Sequence, residues 1–355
     1  MPDIQSFVAD LPKVELHLHL VGSASVETVL ELARRHPDAG VPTERAELAE
    51  YYEFRDFPHF LDVYGAVSGL VRTGADVVAL VVGLARDAAR SNVRYAEVTV
   101  TVTSHLRAGV EPDELAEALT RGRVLAREDH GVDLNWIFDI AGGEGQGSGW
   151  ETVAFALRHP PAGLVALGLG GLEVGVGRAQ FRRHFTVARE AGLASVVHAG
   201  ETTGPASVWS TIHDLGAVRI GHGIGAVTDP RLLDHLRERR ITLEICPTSN
   251  VRTRSVASWD VHPLPRFLDH GVPVTLSTDD PGMFGAELND EYARAAAVFG
   301  LTRVELSEIA RAGVRAALCG EAYRERLLAE IDAVPGSPQG TPHPTGPCKR
   351  GPLIQ

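Results

Sequence analysis

Four short apolar runs in this chain end in imidazoles and carboxylates. The first closes with His17 and His19. Another runs into His198-Ala199-Gly200-Glu201, a third into His222 within Arg219-Ile220-Gly221-His222-Gly223, and a fourth into Asp279-Asp280. His17 and His19 are two residues apart, so on an extended strand both side chains point to one side. Two imidazoles inside an apolar strand are costly to bury unless paired or metallated. A single buried histidine is ordinarily a hydrogen-bonded core residue, and Glu201 alone could be a helix-capping carboxylate. The recurrence at four strand ends points instead to a metal. Three imidazoles and one carboxylate form an N₃O donor set that suits Zn²⁺, with Fe²⁺ or Mn²⁺ as alternatives. Such an ion keeps one position open for water, lowers the water's pKa and needs a proton shuttle beside it. Glu201 suits a general acid, and His222 and Asp280 suit orienting and deprotonating that water.

These residues are far apart in sequence, so the elements must bring them together. Eight runs rich in Val, Ile and Leu read as buried parallel strands: 14–20, 93–100, 134–140, 164–169, 194–198, 218–221, 241–246 and 273–277. Amphipathic helical patterns lie between most of them, at 113–128, 180–191 and 230–239. This alternation predicts an α/β fold, a (β/α)₈ TIM barrel, with an open doubly wound sheet as the competing architecture. Polar residues at strand C-termini favour the barrel, because all eight such ends lie on one face. The connection from Gly22 to about Asn92 is longer than one crossover needs. Its helical patterns at 25–36, 45–54 and 58–71 predict extra helices covering the mouth, and 286–299 and 303–318 read as closing helices. One barrel domain is expected over 1–334. Six prolines and four glycines in residues 335–355 predict a disordered tail.

Composition narrows the chemistry. The chain has 355 residues and a net charge of −12, which argues against a nucleic-acid polymer as partner. Three cysteines cannot form a disulfide framework. The longest apolar stretch, Val77 to Ala85, is far shorter than the roughly 20 residues that span a bilayer, and the N-terminal MPDIQSFVAD lacks the flank and core of a signal peptide. A cytoplasmic protein acting on a small molecule, with no membrane partner, is the expectation. Of the 34 basic residues only Lys13 and Lys349 are lysines, the first ahead of strand one and the second in the tail. Barrels that bridge two ions through a modified lysine, or use a lysine Schiff base, are therefore excluded, and a mononuclear metal site remains.

The segments Pro12 to Leu20, His198 to Glu201, Arg219 to Gly223, Cys246-Pro247-Thr248-Ser249-Asn250 and Ser277-Thr278-Asp279-Asp280-Pro281 together resemble the adenosine/adenine deaminase family of the amidohydrolase superfamily. The resemblance covers about Pro12 to Leu318. It implies one Zn²⁺ held by His17, His19, His198 and Asp279. It implies that Glu201 protonates purine N1, that His222 helps activate the metal-bound hydroxide attacking C6, and that Asp280 holds this oxygen and contacts N7. Gly171 matches the position whose backbone N–H meets purine N3. The tetrahedral intermediate then expels ammonia.

Two departures from the family pattern bear on the substrate. Val21 stands where adenosine-specific members carry Asp and adenine-specific members carry Glu, and Leu172 stands where Asp is usual. A site built to hold a hydroxyl rejects an analogue lacking it by roughly 10⁴-fold, so losing both carboxylates argues against a free 5′-hydroxyl. The family includes members acting on 5′-extended nucleosides such as 6-amino-6-deoxyfutalosine. Its deamination to futalosine, in menaquinone synthesis, is the expected reaction, with adenosine or adenine as alternative substrates. Val21 and aromatic residues of the covering helices (Phe54, Phe57, Phe60, Tyr64) are compatible with the extension. Arg55, Arg72, Arg178 and Arg252 are candidates for its carboxylate. Ser104-His105 could touch substrate or cap a helix.

Overall fold

The computed structural model describes residues 3–337. Eight strands follow one another in a single parallel sheet: β1 (Lys13–His19), β2 (Val93–Val100), β3 (Asp133–Ala141), β4 (Leu164–Gly170), β5 (Ala194–Ala199), β6 (Arg219–His222), β7 (Thr242–Ile245) and β8 (Val274–Leu276). The ring closes between β1 and the end of β8. His19 N–H donates to Asp279 O at 2.9 Å, and Asp279 N–H donates to His17 O at 3.1 Å. The closure thus runs through three residues that the sequence marks as metal ligands, His17, His19 and Asp279, and the expected TIM barrel is the fold. Lys13 is the first residue of β1 rather than ahead of it. It lies at the barrel's N-terminal end, its ammonium donating to the carbonyls of Val8, Leu11 and Ser91.

The expected helices after β1 are present as Val26–Arg35, Arg45–Tyr51 and Phe57–Ser68, and the closing helices as Leu288–Phe299 and Arg303–Ala316. The pattern at 180–191 divides into a 3₁₀ turn, Arg178–Phe181, and the helix Arg182–Glu190. The longer helices outside the expected patterns are Ile4–Asp10, Gly74–Arg90, Gly145–Arg158 and Glu321–Asp332. The second contains the longest apolar stretch of the chain and has a complete capping box between Thr73 and Asp76. Most of the apolar side chains between strands and helices form one continuous core. The part of the expected disordered tail beyond residue 337 lies outside the described residues. Among the described residues no helix is long and apolar enough to cross a membrane.

Charged residues also occupy the barrel interior. Arg219 on β6 pairs with Glu97 on β2 and with Glu244 on β7, all nearly inaccessible. Glu97 also accepts from Tyr95 Oη at 2.8 Å and from the Leu318 amide. A buried charge is tolerable only when paired and hydrogen-bonded, and here each member has two or more partners.

Candidate metal centre and active site

At the C-terminal end of the barrel the expected residues converge. One donor atom each from His17, His19, His198 and Asp279 lies within 4.8 Å of the others. The Nε2 atoms of His19 and His198 are 3.2 Å apart, and Asp279 Oδ1 lies 3.3 Å from His17 Nε2 and 3.2 Å from His19 Nε2. A tetrahedral ion with bonds of about 2.0–2.1 Å has ligand–ligand edges of about 3.3–3.4 Å, so these spacings fit one divalent ion. The Nε2 of His17 is buried without a hydrogen-bond donor or acceptor partner, as an imidazole nitrogen reserved for a metal would be. A second grouping, His17, His222, Cys246 and Asp279, is as compact. There burial and then Asp279 push the Cys246 thiol well up, a cost that ligation through sulfur would have to overcome, and His222 has only Nε2 to offer because Asn250 engages Nδ1.

Several supports were not visible as such in the sequence. His17 Nδ1 is 2.9 Å from Glu244 Oε2, which links the ligand to the interior Arg219 network. Ser249 Oγ donates to Asp279 Oδ2 at 2.7 Å. A Cβ on Gly221 would sit 2.6 Å from His17 Cε1, so only glycine leaves room for that ring. Both His222 (φ 57°) and Asp279 (φ 67°) hold left-handed backbone without being glycine. Such conformations cost of order 1 kcal/mol or more and concentrate at functional sites.

Glu201 does not cap the next helix. Its carboxylate lies 3.8 Å from His222 Nε2 and accepts weakly from Ser255 Oγ at 3.4 Å. Burial, then the Asp279 and Glu173 charges, push its carboxyl up to about 8, so it holds a proton near neutrality. Burial and then adjacent Asp279 raise Asp280 too; a divalent ion in the donor set next to it would pull that value down and leave its carboxylate free to take a proton. Burial and then His17 push His222 down to about 4. Glu173 secures the Gly200–Thr202 turn. It accepts from the backbone N–H groups of Gly200, Glu201 and Thr202 at 2.7, 2.8 and 2.8 Å, and from hydroxyls of Thr203 and Ser207. Burial opposes its charge, but Arg178 and these donors hold its carboxyl below the usual range. Asp139 at the end of β3, held by Thr101 Oγ1 at 2.6 Å, also borders this space: a Cβ on Gly170 would lie 2.9 Å from Asp139 Oδ2 and 3.6 Å from His198.

The covering helix Phe57–Ser68 reaches the site. The Tyr64 ring lies 6.2 Å from that of His19 and 5.9 Å from Phe60, which packs against Phe54 and Phe284. Val21 is buried two residues past His19, whereas Leu172 is 39% exposed beside Gly143. Gly171 directly follows β4. Of the candidate arginines, Arg72 pairs with Asp38. Arg252 donates to Tyr52 O and lies over the Phe54 ring, and Arg178 is buried 3.4 Å from Glu173. The side chain of Arg55 is exposed. His105 is fully buried in a short helix after β2, and burial pushes it down to about 4.

The Adenosine deaminase family model matches residues 12–334. The chain belongs to the adenosine deaminase family. It is 50% identical over 332 residues to an aminodeoxyfutalosine deaminase of Streptomyces coelicolor, covering 93% of this chain and 86% of that one. Its fold superposes on an adenine deaminase from Arthrobacter aurescens with a TM-score of 0.87 at 30% identity, covering 90% of this chain and 98% of the other. It also superposes on an amidohydrolase from Burkholderia ambifaria, with bound Zn, with a TM-score of 0.86 at 25% identity and 94% of each chain. Membership makes this chain an aminohydrolase of a metal-dependent family acting on small purine compounds, as the sequence motifs imply.

Proposed function

We propose that this enzyme hydrolyses the 6-amino group of 6-amino-6-deoxyfutalosine, releasing ammonia and futalosine. The observation that carries the reading is the 50% identity to a curated aminodeoxyfutalosine deaminase over nearly the whole chain, together with Val21 in place of a carboxylate. His17, His19, His198 and Asp279 would hold one divalent ion. Zn²⁺ fits the N₃O set, and a relative of the same fold is described with bound Zn. When bound, the ion polarises the attacking water and lowers its pKa.

The chain's own residues do the rest. Glu201, protonated at neutral pH, gives its proton to purine N1 and makes C6 electrophilic. Asp280 takes a proton from the attacking water and holds N7, and His222 faces the same water. The Gly171 amide meets N3. Val21, Leu172, Phe60 and Tyr64 form the apolar surroundings of the ribose and its 5′ extension, and the covering helices exclude bulk water from the reacting atoms. Steady-state kinetics on 6-amino-6-deoxyfutalosine, adenosine, 5′-methylthioadenosine and adenine test the reading. The expected order places aminodeoxyfutalosine first in kcat/KM; adenosine first would overturn the argument from Val21.

A further inference from the structure

A hydrogen-bond chain behind His222 has a polarity that can be read from one end. It begins at the backbone N–H of Leu264, which can only donate and lies 3.1 Å from His262 Nδ1. That nitrogen therefore accepts. His262 is buried, and burial pushes it down to about 4, so near neutrality it is uncharged and has one ring N–H, on Nε2. His262 Nε2 lies 3.2 Å from Asn250 Oδ1, so it donates there. The amide orientation of Asn250 is thereby fixed, with its NH₂ toward His222 Nδ1 at 3.1 Å. Asn250 is fully buried and His222 is 1% exposed, so no solvent competes for these groups.

We infer that Asn250 and His262 are positioning residues that lock His222 in the tautomer with its proton on Nε2, aimed at the reacting water. An amide N–H facing Nδ1 leaves no room for a proton on that nitrogen, so both the opposite tautomer and the imidazolium are disfavoured by the same contact. The Nε2–H points to the side where Asp279 Oδ2 (3.7 Å) and Glu201 Oε2 (3.8 Å) lie, the first a carboxylate acceptor and the second on a protonated carboxyl that still offers its carbonyl oxygen. His222 thus presents a donor to the water oxygen. It orients a lone pair toward C6 instead of removing the proton, which goes to Asp280. Neither Asn250 nor His262 needs to touch substrate for this role.

The inference rests on the reading above for the identity of the reaction, but its first test is independent of activity. Long-range ¹H–¹⁵N spectra of holoenzyme labelled at histidine nitrogens, with His222→Gln for assignment, should show His222 with a protonated Nε2 and a bare Nδ1 at neutral pH. A protonated Nδ1 in the wild type overturns the inference. Asn250→Asp replaces the donor by an acceptor. It should move the proton to Nδ1 and lower kcat about 10²-fold or more, with KM changed less than about threefold and metal content retained. His262→Glu, which can only accept once ionised, should flip the Asn250 amide and reproduce that loss. His262→Gln, which can still donate, should recover at least about tenfold of it. An unchanged kcat in Asn250→Asp with the tautomer reversed would overturn the positioning role. The expected wild-type tautomer with full activity in His222→Gln would instead overturn the role of His222 in the reaction and leave the tautomer assignment standing.

Discussion

His17 Nδ1 lies 2.9 Å from Glu244 Oε2, and Glu244 is held in turn by Arg219 Nε at 2.5 Å. The carboxylate fixes the proton of His17 on Nδ1 and leaves Nε2 bare toward the donor set. Partners of this kind set ligand tautomer and basicity, and their loss costs about 10–100-fold in metal affinity. Glu244→Gln should weaken metal binding by that factor in a chelator competition. It should still fold, because Arg219 keeps Glu97 as partner. Metal affinity equal to wild type would remove Glu244 from the site.

Gly22 sits where Asp280 needs space. A Cβ built there falls 1.6 Å from Asp280 Oδ1, an overlap that no side-chain adjustment short of moving the carboxyl relieves. Gly22→Ala should displace Asp280, lowering kcat by about 10²-fold or more while the His₃Asp set still binds metal. Activity within threefold of wild type would show that Asp280 has another position open to it.

The strand-end positions were legible because parallel strands in a barrel share one C-terminal face, so His17, His198, His222 and Asp279 needed no contact information to be grouped. The fold followed from the same alternation of short apolar strands with helices. What sequence did not reveal was direction. Glu244 and Arg219 stand inside apolar strands, a visible anomaly, but only the closed ring shows that β2, β6 and β7 point them at one another. Ser249 and Asn250 belong to a recognised segment, yet their partners Asp279 and His222 depend on how the Pro247–Arg252 helix leaves β7. Glu173 is a lone carboxylate in sequence, because the donors that hold it come from Gly200 to Ser207, about 30 residues further on. The helix Gly74–Arg90 carries a buried stripe at helical spacing, Val77, Leu80, Val81, Leu84, Ala85 and Ala88, and its Thr73–Asp76 capping box was a second available signal.

Glu201 sets the alkaline side of the pH profile. Its acid form is the active one, and burial raises its carboxyl to about 8. The acid is therefore present below that value and lost as pH rises through it. A divalent cation in the neighbouring donor set pulls the value downward. The plot of kcat/KM against pH should accordingly fall on the alkaline side with an apparent pKa no higher than about 8. Glu201→Gln should cost about 10²–10⁴ in kcat. A rate still climbing at pH 9 would mean that another group supplies the proton to N1.

Glu291, on the closing helix Leu288–Phe299, makes a prediction about stability alone. Its side chain is wholly buried, with Oε2 3.3 Å from the Thr248 amide and Oε1 taking no hydrogen bond. Burial, with a contribution from Glu15, raises its carboxyl to about 7 against 4.5 for the ordinary group. The folded state therefore holds a proton that the unfolded chain releases. Its stabilising contribution is complete below the unfolded value and is lost as pH rises through about 7. The difference amounts to roughly 3 kcal/mol between acid and mildly alkaline solution. Glu291→Gln mimics the protonated form at every pH. Thermal unfolding should show the variant ahead of wild type at pH 8 by a few degrees, with the gap narrowing at pH 5. A gap that is the same at both pH values would mean that Glu291 is ionised in the fold, with a counter-charge or water beside Oε1.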